Sequence, residues 1–118
     1  MPLNWNTISS EADAKSAVQA SHDQPIMIFK HSTTCPISGI AKMRLQDDWD
    51  FEDLPSYYID VKSERSVSTY LAELLGVHHE SPQMIVVSNG AAVYDVSHLD
   101  IKVSEVHDGL KEIEHSAN

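Results

Sequence analysis

The amino-acid sequence predicts an α/β domain built on a mixed sheet of four to five strands with helices on both faces. Short apolar runs of strand length alternate with longer segments whose apolar residues recur at helical spacing. The last two runs flank Asn-Gly, the strongest short hairpin signal in the chain. Hydrophobic residues make up 42% of the 118 residues, enough to bury a core, so we predict a single domain over residues 1–118.

The first predicted strand is weak, and the second is strong. NWNTI, residues 4–8, is short, whereas PIMIFK, residues 25–30, is a continuous apolar run typical of a strand buried on both faces. Between them, SSEADAKSAVQASHD predicts a helix over residues 9–23, because Ser10 suits its N-cap and Asp13 the reciprocal capping position.

The middle of the chain continues the alternation of helix and strand. A helix is favoured from Pro36 to about Asp47, because proline is tolerated at the first position of a helix. SYYIDV, residues 56–61, is rich in aromatic and β-branched residues and predicts a second buried strand. Residues 63–76 place apolar side chains on one helical face and end at Gly76, which suits a helix stop.

The final segment predicts a hairpin and a closing helix. QMIVVS, residues 83–88, and AAVYDV, residues 91–96, form the hairpin, and residues 103–115 form the helix, in which Gly109 is a mild weakness. The resulting order, β–α–β–α–β–α–β–β–α, implies parallel pairing through helical crossovers and an antiparallel edge at the hairpin. This is the thioredoxin-like arrangement.

The charge balance excludes some classes of partner. Asp and Glu number 18 against 8 Lys and Arg, giving a net charge of −10, which repels nucleic acid and anionic membrane surfaces. The first fifteen residues have neither the basic start nor the apolar core of an export signal, and no apolar stretch approaches the roughly 20 residues that span a bilayer. We therefore expect a cytoplasmic protein whose thiol stays reduced.

The chain has a single cysteine, Cys35, in the stretch KHSTTCPISGIAKMRLQ. A cysteine just before Pro36 lies at a helix start, where unpaired N–H groups and the helix dipole favour the thiolate, the nucleophilic form. The alternative is that Cys35 is an ordinary small buried hydrophobe. Its polar neighbours favour the reactive interpretation.

The stretch around Cys35 contains no acidic residue. No acidic residue lies between Asp23 and Asp47, although 18 of the 118 residues are acidic. Basic residues are present there, and we single out Lys30, His31 and Lys42 as possible anion-binding residues.

Ser38 stands where a dithiol oxidoreductase would carry its second cysteine. Its hydroxyl cannot close a disulfide, so it is either a hydrogen-bonding residue of the first helical turn or a group that supports the Cys35 thiolate. The seven histidines are scattered without recognised metal-ligand spacing, and we expect no metal site. A phosphatase loop would need arginine where Ala41 stands.

These residues carry a resemblance to the monothiol bacilliredoxins, thioredoxin-like proteins of the bacillithiol redox system. Their T-C-P-I-S signature appears here at positions 34–38, which implies that Cys35 is the catalytic cysteine. The resemblance implies that the other signature residues support its thiolate: Thr34, Pro36, Ile37 and Ser38. ESPQMIVV matches the strand start at which these folds typically carry a cis proline beside the thiol, which implies a cis bond between Ser81 and Pro82 and a Ser81 backbone that meets substrate.

By this resemblance, Cys35 attacks mixed disulfides between bacillithiol and client proteins. The client leaves as a free thiol, and Cys35 carries the bacillithiol until a low-molecular-weight thiol removes it. No tightly bound cofactor is expected, and bacillithiol is the co-substrate. Two alternatives stay open: an iron–sulfur cluster carrier of the monothiol glutaredoxin kind, and a non-catalytic thioredoxin-like adaptor.

Overall fold

A computed structural model describes residues 3–116 of the chain. The elements follow the predicted order, with one short 3-10 helix, η1, that the sequence did not predict. In chain order they are β1 (Trp5–Thr7), α1 (Glu11–Ala20), β2 (Ile26–His31), α2 (Pro36–Asp48), β3 (Ser56–Asp60), α3 (Arg65–Leu75), β4 (Gln83–Ser88), β5 (Ala91–Ser97), η1 (His98–Asp100) and α4 (Val103–Ser116). Within the described range, no helix is long and apolar enough to cross a membrane.

The five strands form one mixed sheet in the order β1-β3-β2-β4-β5. The weak first strand is confirmed as a three-residue edge strand that pairs parallel with β3, and β3 pairs parallel with β2. The expectation that β4 joins the sheet by a parallel crossover is wrong. β4 runs antiparallel to β2, with Lys30 opposite Gln83. Its first residue therefore lies beside the end of β2 rather than beside its start.

The segment between α3 and β4 explains this reversal. α3 ends at Gly76, whose positive φ of 65° is the left-handed conformation that glycine adopts readily at a helix stop. The chain then runs back along α3, since His79 lies 3.4 Å from the Ser68 hydroxyl in the first half of that helix. It thus returns to the sheet edge at which β2 ends, and β4 begins there.

Alternate residues of β2 face the two sides of the sheet, and both sides are covered. Ile26 and Ile28 pack with α1 and α3, whereas Met27 and Phe29 pack with α2 and α4. All four side chains are fully buried, as predicted for a central strand. By the same alternation, Lys30 lies on the α1–α3 side and His31 on the α2–α4 side.

Local signals are also confirmed. The Ser10 hydroxyl accepts from the Asp13 N–H at 3.0 Å, which confirms the N-cap. The Asp13 carboxylate accepts from the Ser9 N–H at 3.0 Å, one residue before the N–H that a reciprocal capping bond uses. At the hairpin, Asn89 and Gly90 both have positive φ, as a tight two-residue turn between antiparallel strands requires.

Candidate functional site

Cys35 lies at the junction between β2 and α2. It is the N-cap residue of α2, with extended φ and ψ of −100° and 117°, and its carbonyl accepts the first helical bond from Gly39 at 3.1 Å. Within residues 3–116, its sulfur caps no backbone N–H. Pro36 occupies the start of the helix, and the first turn carries no acidic residue among those described. The sulfur is partly buried and remains available for chemistry at the positive end of the helix.

An open cleft of about 650 Å³ lies in front of this thiol. Thr34 and Cys35 form one wall, the start of α3 and the turn before it form another, and Ser81 closes the third side. The Ser81–Pro82 peptide bond is cis, as the resemblance implied. The Ser81 hydroxyl is buried and has no hydrogen-bond partner among residues 3–116.

Ser38 is fully buried and holds the loop that carries the thiol. Its hydroxyl accepts from the Ser32 N–H at 2.9 Å and lies 2.6 Å from His31 Nδ1. Neither contact involves the Cys35 sulfur. The prediction that the Ser38 hydroxyl supports the thiolate is therefore wrong as a direct contact. The hydroxyl points towards the sheet, and its two contacts fix the β2–α2 loop instead.

The electrostatics of the cleft differ from those of the whole chain. Lys62, Arg65 and His79 line it, and no acidic residue is among the described residues that line it, although the chain carries a net charge of −10. A cationic cleft in an acidic protein attracts anionic groups selectively.

A family comparison decides what this arrangement is. The model of the family described as monothiol bacilliredoxin BrxC matches residues 6–106. The chain belongs to the monothiol bacilliredoxin family. This membership and the thioredoxin fold together support a thiol redox function.

Solved structures give the same fold. A protein described as a putative oxidoreductase with a thioredoxin fold is 33% identical, with a TM-score of 0.79, and the match covers 88% of this chain and 91% of that one. A thioredoxin from Malassezia sympodialis is 18% identical, with a TM-score of 0.71 and coverages of 95% and 93%. Thioredoxin from Trypanosoma brucei brucei is 11% identical, with a TM-score of 0.75 and coverages of 95% and 92%. The latter two likenesses concern the fold alone.

The bacilliredoxin signature residues take different places around the thiol. Thr34 lines the cleft beside Cys35, and Pro36 begins α2. Ile37 is 39% exposed on the first turn, so it presents an apolar surface next to the sulfur. Ser38 is buried beneath the loop.

The three predicted anion-binding residues do not meet at one place, because His31 and Lys42 lie beside Tyr58 on one side of the sheet and Lys30 lies on the other. His31 is buried, stacks on Phe29 and contacts Tyr58, and burial is the main cause that lowers its pKa. Lys42 Nζ lies 5.1 Å from the centre of the Tyr58 ring, on the α2 side of the sheet. Lys30 is buried on the other side, beneath the cleft, with Nζ 3.4 Å from His79 Nδ1.

Three residues that line the cleft were not identified from the sequence: Lys62, Arg65 and His79. A signal for the first two was present, because Lys62 and Arg65 follow the end of β3, and parallel strands β2 and β3 end at the same sheet edge. His79 is one of the seven scattered histidines, and nothing in its local sequence indicates a place at the site. Only the return of the chain along α3 brings its ring to the cleft.

Proposed function

We propose that this protein is a monothiol thiol–disulfide oxidoreductase that removes bacillithiol from protein mixed disulfides. The Cys35 thiolate attacks the bacillithiol sulfur, the client protein leaves as a thiol, and Cys35 holds the bacillithiol until a second low-molecular-weight thiol removes it. The chain has one cysteine, so no internal resolving thiol competes for this intermediate.

The observation that carries the proposal is the position of the single thiol. Cys35 is free, partly buried and located where β2 ends and α2 begins, in front of a cleft open enough for a small thiol. The backbone at Ser81, on the facing wall, is placed to pair with the chain on either side of a bound disulfide, as an added strand would.

The charge of the cleft supports the choice of bacillithiol. Its malate group carries two carboxylates, and Lys62 and Arg65 supply two cations on the wall opposite Thr34. Arg65 opens α3, where the helix dipole adds to the attraction for an anion.

A transfer experiment tests this function. The reduced protein is mixed with a model protein carrying bacillithiol on its one cysteine, and intact masses are followed for both chains. We expect the bacillithiol mass to move from the model protein to Cys35, and faster than glutathione moves from the same protein carrying glutathione. If neither thiol transfers, the proposed activity is wrong. Brown, cluster-containing protein after anaerobic purification would favour the iron–sulfur alternative.

A charge-neutralising double substitution probes the cationic wall. Lys62→Gln with Arg65→Gln is expected to raise the KM for the bacillithiolated protein about tenfold, because two exposed charge-assisted contacts are lost, with little change in kcat. The matched control is Lys102→Gln with Lys111→Gln, which changes the net charge equally at exposed residues outside the cleft. Equal effects of the two double variants would show that only net charge matters.

A further inference from the structure

Lys30 is a buried lysine without a carboxylate partner. Its side chain has no exposed surface on β2, and among residues 3–116 no carboxylate forms an ion pair with it. Burial lowers the pKa of Lys30 from 10.5 to about 8, so the amine remains mostly an ammonium at neutral pH. An unpaired ammonium in a core is costly, and the four residues that precede Lys30 on the same strand are apolar.

The polar contact of this ammonium is with His79. Nζ lies 3.4 Å from His79 Nδ1, and the Ser68 hydroxyl lies 3.4 Å from the same nitrogen. An ammonium can only donate, so His79 Nδ1 accepts and the proton of the neutral ring is on Nε2. Lys30 thereby fixes the tautomer of His79, whose ring lines the cleft that contains Cys35.

The surrounding charges keep this ring neutral. Desolvation is the largest cause that lowers the pKa of His79, followed by Lys30, with His78 and Arg65 acting in the same direction and Glu80 opposing them. Lys62, from the turn after β3, adds a further positive charge to the cleft. A neutral imidazole with its proton on Nε2 is a hydrogen-bond donor towards the cleft.

We propose that His79 is the general acid for the departing client thiolate, and that Lys30 is the positioning residue that fixes its tautomer and reloads its proton. This inference rests on the proposed function and adds a second functional group to the lone cysteine. It also gives a reason for a lysine in the centre of the sheet.

The proposed reaction conserves electrons and protons. The Cys35 sulfur forms a bond to the bacillithiol sulfur, and the disulfide bond to the client sulfur breaks, so the client sulfur departs with the bonding electron pair. His79 Nε2 gives that sulfur a proton, and Lys30 Nζ gives a proton to His79 Nδ1. Solvent then restores a proton to His79 Nε2, and the Nδ1 proton returns to the Lys30 amine, so the ring regains its original tautomer and Lys30 its charge. The substrate disulfide is the oxidant, and Cys35 is the group oxidised.

The pH dependence of the free energy of unfolding reports the buried charge of Lys30. Because the pKa of Lys30 is about 8 in the folded protein and its ordinary value is 10.5, the unfolded chain binds more protons between these pH values. Lys30 therefore opposes folding below about pH 8, and the opposition is relieved as the pH rises to about 10.5. Lys30→Met is expected to raise the Tm at neutral pH while slowing the reaction.

The decisive measurement is the single-turnover rate of client thiol release between about pH 6 and about pH 10. The wild-type rate is expected to fall above about pH 8, as Lys30 loses its proton. Lys30→Met and His79→Gln are each expected to be about tenfold slower at neutral pH and to lack that fall. His78→Gln, at the neighbouring and more exposed histidine, is the matched control and should behave as wild type.

The nature of the leaving group separates proton donation from a structural effect. With a nitrobenzoate disulfide, whose thiolate is a weak base and needs no proton, Lys30→Met and His79→Gln should react at the wild-type rate. Equal slowing with both disulfides, or an alkaline fall that persists in Lys30→Met, would overturn the inference while the wild-type reaction still supports the proposed function. If wild type itself fails to release the client thiol, the proposed function fails first. His79→Gln changes an exposed ring, so the test does not depend on how the core accepts Lys30→Met.

Discussion

Cys35→Ser is expected to abolish removal of bacillithiol, because a serine hydroxyl is not ionised at neutral pH and cannot form a mixed disulfide. The measurement is the release of free client thiol, together with the intact mass of the variant, which should gain nothing. Cys35 is partly buried and caps no backbone group with its sulfur among the described residues, so the variant should unfold at nearly the wild-type temperature.

Ser38→Ala is the matched control for this loss. It removes a hydroxyl that accepts from the Ser32 N–H and contacts His31, leaving buried polar groups unpaired, so we expect the free energy of unfolding to fall by about 1–3 kcal/mol. Most of the activity should remain, because serine forms no bond to sulfur. A folded Ser38→Ala protein that is as inactive as Cys35→Ser would contradict the one-thiol mechanism.

Ser38→Cys is expected to retain activity but to change how the Cys35 mixed disulfide is resolved. Position 38 lies one helical turn after the N-cap Cys35, where the new thiol can attack the Cys35 mixed disulfide. Bacillithiol should then be released without a second small thiol, leaving an internal disulfide that needs a dithiol reductant. Intact mass should show the bacillithiol adduct in wild type and a loss of two hydrogens in the variant.

The control for this experiment is a second thiol elsewhere on the chain. Ser104→Cys places a thiol at an exposed position near the start of α4 and should leave the Cys35 adduct as long-lived as in wild type. If the adduct persists equally in Ser38→Cys, a thiol at position 38 does not reach the Cys35 sulfur, and the proposed resolution step is wrong.

The features that could be predicted from the sequence depend on interactions between residues close together in the chain. The apolar run before Lys30, the N-cap Ser10, and the Asn-Gly turn each depend on interactions within a few residues, and the structure confirms all three. The placement of Cys35 before Pro36 at a helix start is also local. These signals were enough to predict the α/β class and the position of the thiol.

The role of Gly109 depends on tertiary packing and could not be predicted from the helix alone. As a helix residue it is a mild weakness, and alanine there would ordinarily favour the helix. In the structure, a Cβ at this position would lie 2.7 Å from Val86 Cγ2 and 3.0 Å from Tyr94 Cδ2. The glycine lets α4 approach β4 and β5, a requirement set by the sheet rather than by the helix.

The rest of the site depends on tertiary structure for the same reason. The antiparallel entry of β4 brings Ser81 to Cys35, and the return of the chain along α3 brings His79 over Lys30. The end of β3 supplies Lys62 to the same edge. Each of these contacts joins residues far apart in sequence, and their energies depend on strand order and direction. An alternation of helices and strands leaves both undetermined, because the same local patterns are satisfied whichever way a strand enters the sheet.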